Sequence, residues 1–224
     1  MHHNLELSDY IAWAKEIGIS ETEAHRRLGN GALYLRDRWN TGAKDPDTFY
    51  KEEAGDLYIY DLTAWHTSGD VDNWFRRMYT MLEPAPTSRV LDYGAGIGSY
   101  SLRAAKMGHI VDACEINPEL RAYVEWRARR HGELLNVVEQ PFGRYDVVLC
   151  LDVIEHLKDP VGFPEWLGSK LNPNGRAMLT WTFHRSGGMH PMHCGPEVEP
   201  AFVSALRRRF TVMSDGWPVV VRKK

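Results

Sequence analysis

Apolar and polar positions alternate along the second part of the chain in a way that predicts strands and helices by turns. Short apolar runs such as "RVLDY" and "YDVVLCL" are typical of buried strands. Between them, "SYSLRAAKMG" and "PELRAYVEWRARRHG" have helical spacing and end in glycine. This pattern predicts an α/β fold, a Rossmann-like doubly wound and mostly parallel sheet with helices on both faces. A ligand is then expected beyond the carboxyl ends of the strands.

The first 80 residues show mainly helical patterns. "SDYIAWAKEIG" predicts a helix capped by Ser8 or Asp9. Ser20 and Glu23 form a capping box for a second helix that ends at Gly29, so the two make an αα-hairpin. The Pro-rich stretch 83–89 predicts a boundary, with a helical cap or lid over residues 1–83 and a ligand-binding domain over residues 84–224.

Charge disfavours nucleic acid as the partner. The chain of 224 residues has a net charge of −3, and residues 1–80 hold 9 Lys/Arg against 14 Asp/Glu. An acidic segment is a poor surface for phosphates, which also weakens a DNA-binding interpretation of the αα-hairpin. The basic clusters 207–209 and 222–224 are read as a solvated helix face and a chain end.

Cysteine usage and hydropathy predict a cytoplasmic protein that does not enter a membrane. The three cysteines, Cys114, Cys150 and Cys194, form an odd set without framework spacing, which is typical of a reducing compartment. The sequence shows neither a signal peptide nor an apolar run near the roughly 20 residues of a membrane helix.

Three glycines at alternate positions follow the strand pattern "RVLDY". Gly94, Gly96 and Gly98 form G-x-G-x-G at a strand-to-helix turn, where backbone N–H groups face a ligand. The third glycine of the dinucleotide fingerprint is replaced by Ser99, which argues against an NAD-dependent dehydrogenase. Glu115 ends the next apolar run, where a carboxylate can accept both hydroxyls of a ribose.

Several motifs then resemble, in the right order over residues 85–224, the class I S-adenosylmethionine-dependent methyltransferases, and in particular the small-molecule, ubiquinone-biosynthesis-like members. "LDYGAGIGSYS" is similar to their motif I and "VDACEIN" to their acidic second motif. "YDVVLCLDVIEHLKDP" and "LNPNGRAMLTW" resemble the fourth-strand segment and the turn before the fifth strand. The family implies an antiparallel last strand, S-adenosylmethionine as cofactor and a small-molecule acceptor.

The resemblance also implies a role for each matching residue. The turn around the first two glycines would cradle the methionine part of the cofactor, and Asp92 would brace this turn or bind the amino end. Glu115 would hold the ribose with Ile116 against the adenine, and Asp152 would lie near the transfer centre. The implied cofactor-binding residues are Asp92, Tyr93, Gly94, Ala95, Gly96, Glu115, Ile116 and Asp152.

Two positions depart from the family pattern. Asn174 replaces the first glycine of the usual P-G-G turn, which changes little because Asn tolerates positive φ. The segment before the fourth strand is short, and either Glu139 or Gln140 would read the adenine amino group.

Histidines follow several predicted strand ends. His156 in "DVIEHL" is predicted as the catalytic residue, a general base or a substrate ligand; the alternative is that Glu155 and His156 only brace the loop. His184 and the pair His190/His193 offer further candidates. We expect no metal, although some quinone and small-RNA methyltransferases use a set similar to Asp152, Glu155, His156 and His184.

Aromatic residues crowd the segment before the predicted domain. They would either form a lid over a flat or cationic acceptor or only join the two parts of the chain. "WHTSGD" is expected to be a loop near the site. The aromatic positions and His66 are Tyr50, Tyr58, Tyr60, Trp65, His66, Trp74 and Phe75.

Methyl transfer from S-adenosylmethionine to oxygen or nitrogen of a small molecule is therefore the predicted function. The alternatives are an RNA- or nucleotide-modifying methyltransferase and a regulatory protein that binds the cofactor without transfer. The sequence leaves the acceptor and the oligomeric state undetermined.

Overall fold

A computed structural model of the chain describes residues 4–42, 45–83, 87–184, 193–214 and 216–224. Seven strands in these ranges form one sheet. The strands are β1 (Arg89–Tyr93), β2 (Ile110–Cys114), β3 (Asn136–Val138), β4 (Tyr145–Cys150), β5 (Leu171–Leu179), β6 (Phe210–Ser214) and β7 (Val219–Lys223).

The strand order is β3-β2-β1-β4-β5-β7-β6. Strands β1 to β5 pair in parallel, whereas β7 runs antiparallel to both β5 and β6. The predicted doubly wound sheet with an antiparallel last strand is confirmed. The order reverses at β1, which lies between β2 and β4, and this switch point is where such sheets bind ligands.

Ten α-helices surround the sheet in the described ranges, together with a π-helical turn at Phe49–Glu53 and 3-10 turns at Ile154–His156 and Pro196–Val198. None of them is long and apolar enough to cross a membrane. The α-helices are α1 (Asn4–Glu16), α2 (Glu21–Leu28), α3 (Gly31–Thr41), α4 (Pro46–Thr48), α5 (Leu57–Thr67), α6 (Asp72–Leu82), α7 (Ser99–Lys106), α8 (Pro118–His131), α9 (Phe163–Lys170) and α10 (Glu199–Arg209).

Each face of the sheet has its own apolar core, because successive strand residues point to opposite sides. On one face Leu91 and Val148 pack with residues of α9 and α10, such as Phe202. On the other face Val90 packs with residues of α6 and α7, such as Met78 of α6. Helix α6, in the N-terminal segment, thus fills part of the sheet core. The division at residues 83 and 84 stays a prediction, and residues 84–86 lie outside the described ranges.

The predicted helical hairpin is present as α1 and α2, with one boundary wrong. The Ser20 side chain accepts a hydrogen bond from the Glu23 backbone N–H at 3.2 Å, which confirms the N-cap. Helix α1, however, runs from Asn4 through the predicted caps Ser8 and Asp9. Asp9 is buried at 1% exposure, so its carboxylate is used for tertiary ion pairing rather than for capping.

A buried network of charges joins α1 to the core helices. Glu6 of α1 accepts hydrogen bonds from Arg103 of α7, the shorter at 2.6 Å, and Asp9 accepts one from Arg127 of α8 at 2.8 Å. Arg127 also donates to the carbonyl of Ile97 at 2.6 Å, inside the glycine turn. The N-terminal helix is therefore anchored directly behind the turn predicted to bind the cofactor.

Two further local predictions have different outcomes. In "WHTSGD", Trp65 to Thr67 form the end of α5 and His66 is buried, so the predicted loop is limited to Ser68–Asp70. Helical packing against the core therefore overrides the polar composition of this stretch. Asn174 has φ of 61°, which confirms that it takes the left-handed conformation usual for glycine in this turn.

Candidate functional site

The glycine turn at the end of β1 depends on glycine for both conformation and space. Gly94 and Gly96 have φ of 74° and 53°, in the left-handed region. A Cβ on Gly94 would lie 2.3 Å from Val153 Cγ2, and one on Gly96 would lie 2.6 Å from Leu62 Cδ1. The turn thus packs between the loop after β4 and helix α5, and side chains are excluded from it.

Glu115 joins the tip of β2 to this turn. Its Oε2 accepts the Gly96 N–H and its Oε1 accepts the Asn117 N–H, each at 2.9 Å. Burial raises the pKa of Glu115 from its ordinary value of 4.5, and the two backbone hydrogen bonds oppose that shift. Each oxygen has another lone pair, so the carboxylate can accept further hydrogen bonds from a ligand.

Two more carboxyl groups lie near the turn. Asp92, 2% exposed, accepts a hydrogen bond from Ser101 Oγ at 2.6 Å, and burial raises its pKa to about 6. Asp152 follows β4 with φ of 53° and accepts a hydrogen bond from Thr180 Oγ1 at 3.0 Å. Burial also raises the pKa of Asp152. These acids give the site the negative charge that suits a cationic ligand.

One cavity of about 580 Å³ collects the predicted site residues at the carboxyl ends of β1, β2 and β4. Both candidates for reading the adenine, Glu139 and Gln140, also line the cavity. Glu139 accepts a hydrogen bond from Lys51 Nζ at 2.6 Å. Which of the two contacts a ligand stays a prediction. The predicted residues on its wall are Asp92, Tyr93, Gly94, Ala95, Gly96, Glu115, Ile116, Asp152 and His156.

A cluster of ionisable side chains occupies another part of the cavity wall. His156 Nδ1 forms a short hydrogen bond with the hydroxyl of Tyr50, and its ring lies 4.5 Å from that of His193. Glu155 accepts the Thr182 N–H at 3.1 Å through Oε1, whereas its Oε2 is buried without a hydrogen-bond partner in the described structure. Burial and the neighbouring Asp152 raise the pKa of Glu155.

The same cluster has the donor atoms of a metal site. Glu155, His156 and His193 each place one ligand atom within 4.8 Å of the others. Of the alternative metal set, only Glu155 and His156 belong to this group. Asp152 and His184 line the cavity outside it, and His190 lies outside the described residues. The expectation of no metal at this site stays a prediction.

Comparison with known proteins assigns the family. A model of the methyltransferase domain family matches residues 62–203, which is more than half of the chain and includes the glycine turn, Glu115 and Asp152. The chain belongs to the class I S-adenosylmethionine-dependent methyltransferases. The resemblance predicted from the motifs is thus confirmed.

Curated relatives match over less than half of their length. The ubiquinone biosynthesis O-methyltransferase of Xanthomonas campestris pv. campestris is 33% identical over 106 residues, covering 42% of this chain and 43% of the relative. The enzyme of the same name from Xylella fastidiosa is 31% identical over 108 residues, with 43% of each chain covered.

Solved structures of other proteins share the fold. Magnesium protoporphyrin IX methyltransferase from Synechocystis PCC 6803, solved with bound SAM, aligns with a TM-score of 0.57 at 19% identity, covering 87% of this chain and 97% of that chain. The PH0226 protein from Pyrococcus horikoshii OT3 aligns with a TM-score of 0.60 at 13% identity, covering 84% and 99%. At these identities the likeness concerns the fold alone.

The aromatic residues before the methyltransferase sheet divide into two groups. The side chains of Tyr60 and Phe75 are buried in packing contacts, with Tyr60 against Tyr10 at 5.8 Å and Phe75 against Tyr100 at 4.8 Å between ring centroids. The rest of the predicted set lines the cavity, as the lid interpretation requires. These residues are Tyr50, Tyr58, Trp65, His66 and Trp74.

Sequence reasoning missed several residues of the methyltransferase site. Asn117 donates from Nδ2 to the carbonyls of Tyr50 and Gly55, both at 3.0 Å, and so joins the tip of β2 to the N-terminal segment. Tyr100 and Trp166 line the cavity from α7 and α9. Asn117 is the last residue of the acidic motif "VDACEIN", which was an available signal, whereas the Trp166 contact depends on tertiary packing.

Proposed function

We propose that this protein transfers a methyl group from S-adenosylmethionine to oxygen or nitrogen of a small molecule. The observation that carries the proposal is the single cavity that unites the glycine turn, Glu115 and Asp152 with His156. Family membership supports the cofactor, and the size of the cavity suits a cofactor with a small acceptor. The relatives, of which the chain covers less than half the length, are named O-methyltransferases, and this name supports the proposal.

The residues of the site fit the cofactor. Glu115 would hold the ribose hydroxyls with its remaining lone pairs, and Ile116 would contact the adenine. The closely packed turn at Gly94 and Gly96 would hold the methionine part, and Asp92 and Asp152 would bind its ammonium group. The cofactor supplies a methyl group activated on a sulfonium. The protein aligns the acceptor with that methyl group and excludes water, which are the main requirements of an in-line displacement.

His156 is the proposed general base. In the tautomer that carries its hydrogen on Nδ1 and donates it to the Tyr50 hydroxyl, Nε2 is the basic nitrogen that takes the proton of an acceptor hydroxyl or amine. The aromatic side chains of α5 and α6 provide a flat apolar wall, with Trp65 and Trp74 in edge contact at 5.3 Å between ring centroids.

We also propose that the protein acts in the cytoplasm, since Cys114, Cys150 and Cys194 are free thiols.

Mass spectrometry of an extract tests the proposed function. The protein is incubated with a cell extract and S-adenosylmethionine that carries a deuterated methyl group. We expect a labelled product in the small-molecule fraction, absent when Glu115→Ala replaces the wild type. Label confined to RNA would favour the nucleic-acid alternative, and normal cofactor binding without any labelled product would favour a regulatory protein.

Replacing His156 separates catalysis from cofactor binding. Once the acceptor has been identified, His156→Asn should lower kcat for its methylation about 10²–10⁴-fold, the usual contribution of a general base. Affinity for S-adenosylhomocysteine should change little, because the cofactor contacts lie on the turn and on Glu115. His25→Asn, at an exposed position of α2, is the matched control and should leave both quantities unchanged. An unchanged kcat in His156→Asn would contradict the general-base role and favour the alternative that His156 only braces the loop.

Chelation tests the expectation of no metal. We expect the rate of methyl transfer to be the same with and without EDTA. Tyr50 already bonds Nδ1 of His156, and Thr182 already bonds one oxygen of Glu155, which reduces the free donor atoms of the cluster. A rate that EDTA abolishes and a divalent cation restores would instead assign Glu155, His156 and His193 to a metal ion.

A further inference from the structure

Acidic side chains dominate the ionisable groups of the cavity wall. Among the described residues the wall holds seven carboxyl groups, and neither lysine nor arginine belongs to it. An acceptor with a carboxylate or a phosphate would lose its hydration here without gaining an opposite charge, whereas the field of such a wall attracts a cation. The seven acids are Asp47, Asp61, Asp92, Glu115, Glu139, Asp152 and Glu155.

Asp61 differs from the other six acids because its carboxyl group is unpaired. Asp47 and Glu139 each bond a lysine, at 2.8 Å and 2.6 Å. The remaining four accept hydrogen bonds from backbone N–H or hydroxyl groups of the protein. Burial raises the pKa of Asp61 to about 6, and no hydrogen bond or ion pair with a described residue opposes this shift. A carboxylate left in this state points to a ligand that supplies the positive charge.

Helix α5 presents Asp61 to the cavity between two aromatic rings. Tyr58 and Trp65 lie one turn before and one turn after Asp61, at spacings of three and four residues, so the three side chains share one helix face. All three line the cavity, and Asp61 is partly exposed, so its side chain is accessible from the cavity. A carboxylate flanked by aromatic rings suits an alkylammonium ion, which gains charge attraction and cation–π contacts there.

The position of Asp61 is fixed beside the glycine turn and separate from it. A Cβ on Gly31 of α3 would lie 2.8 Å from the Cα of Asp61, so the two helices pack closely at this point. The next residue, Leu62, is the one that faces the turn, where a Cβ on Gly96 would lie 2.6 Å from its Cδ1. Successive residues of a helix are rotated by about 100°, so Asp61 points away from the contact between Leu62 and the turn.

Tyr58 connects Asp61 to the proposed general base. Burial raises the pKa of the Tyr58 phenol, and the nearby charge of Asp61 adds to this shift. The ring of Tyr58 lies 5.7 Å from that of Tyr50 between centroids, and the Tyr50 hydroxyl bonds His156. A cationic group held at Asp61 would therefore place the rest of a small acceptor next to His156.

We propose that the acceptor is a small amine whose ammonium group binds Asp61 between Tyr58 and Trp65. This inference rests on the proposed function and names the substrate class of the same site. It makes Asp61 a specificity-determining residue that selects cationic acceptors. A neutral compound of the same size would leave the carboxylate unpaired, and an anionic one would meet the acids of the wall, so both are disfavoured.

The charge of the methylated product tests the inference. The wild type is incubated with a cell extract and S-adenosylmethionine that carries a deuterated methyl group, and the small molecules are separated on ion exchangers at pH 7. Mass spectrometry should find the label that depends on the added protein in a new compound that a cation exchanger retains. Such label in an anionic or an uncharged compound would overturn the inference and leave the proposed function intact.

Asp61→Asn removes the charge and keeps the size of the side chain. It should lower the rate at which the labelled cation forms about 10–100-fold, the usual effect of losing a hydrogen bond to a charged group. Its calorimetric affinity for S-adenosylhomocysteine should equal that of the wild type. The Tm should stay level or rise, because the substitution removes an unpaired carboxylate, whereas a lower Tm would overturn the assignment in favour of a structural role.

Asp70→Asn is the matched control, because Asp70 is an exposed acid that follows α5 and lies outside the cavity wall. It should form the labelled cation at the wild-type rate. If Asp61→Asn forms the cation as fast as Asp70→Asn does, the assignment of Asp61 is overturned alone. A loss of affinity for S-adenosylhomocysteine in Asp61→Asn overturns it too, since Asp61 would then belong to the cofactor site. If the wild type forms no labelled product, the proposed function falls together with the inference.

Discussion

Gly96→Val should weaken the binding of S-adenosylmethionine about 10–100-fold while the protein still folds. Gly96 has φ of 53°, and a Cβ there would meet Leu62 Cδ1 at 2.6 Å on the cavity side of α5. Its N–H also donates to Glu115 at 2.9 Å, so a displaced turn moves the Glu115 carboxylate as well. The clash should destabilise the turn conformation that binds the ligand by about 1–3 kcal/mol, the usual cost of overpacking. This cost corresponds to a rise of about 10–100-fold in Kd.

Gly108→Val is the control that isolates this effect. Gly108 also has a left-handed backbone, with φ of 86°, but an added Cβ meets no heavy atom of the described residues within 4 Å. It carries the same backbone strain without a contact to the cavity. Calorimetry should therefore show normal affinity for Gly108→Val and weak affinity for Gly96→Val. Equal affinities in the two variants would show that the glycine turn is not part of the cofactor site.

Glu6→Gln should lower the free energy of unfolding by about 3–5 kcal/mol, a large effect for a residue outside the cavity. Removing one partner of a buried ion pair leaves the other charge uncompensated, and the loss is of this order. Here Glu6 is fully buried and faces Arg103 at 2.6 Å and Arg127 at 3.6 Å. Urea denaturation followed by circular dichroism measures the change.

Acid titration gives the same network an independent test. Burial raises the pKa of Glu6, but the hydrogen bond from Arg103 and the charges of Arg103 and Arg127 outweigh burial and lower this pKa from its ordinary value of 4.5 to about 2. A carboxyl whose pKa falls on folding stabilises the protein above pH 4.5, and that contribution disappears as the pH drops toward 2. The wild type should therefore lose more stability over this range than Glu6→Gln.

The control for Glu6 lies on the same helix. Glu16 is exposed and accepts a hydrogen bond from Trp126 Nε1 at 2.8 Å, so Glu16→Gln changes an α1–α8 contact without affecting a buried charge. It should cost less than about 1 kcal/mol. A Glu6→Gln protein as stable as Glu16→Gln would show that the buried network does not anchor α1.

The sheet and the cofactor side of the site were predictable because their signals are local. Apolar runs of strand length separated by helical patterns determine a parallel sheet, and the turn from Gly94 to Gly98 follows one of these runs directly. Glu115 ends the next run, and neighbouring parallel strands bring its carboxylate to the turn. The cavity contains every residue that the motifs predicted, because those motifs all end strands at one edge of the sheet.

The rest of the site depends on contacts between distant parts of the chain. Tyr50 reaches His156 across 106 positions, and Glu6 pairs with Arg103 across 97. The start of α1 was mispredicted for this reason, since Asp9 looks like a cap in the sequence but is an ion-pair partner of Arg127 in the structure. Local spacing gives no indication of such partners, because the burial that selects them arises only in the folded chain.

Calorimetric titration with S-adenosylmethionine is the most direct test of the central claim that this cavity binds a methyl donor. We expect the wild type to bind S-adenosylmethionine at one site, Glu115→Ala to bind it far more weakly, and NAD not to bind. Tight binding of NAD by a protein that does not bind S-adenosylmethionine would contradict the claim.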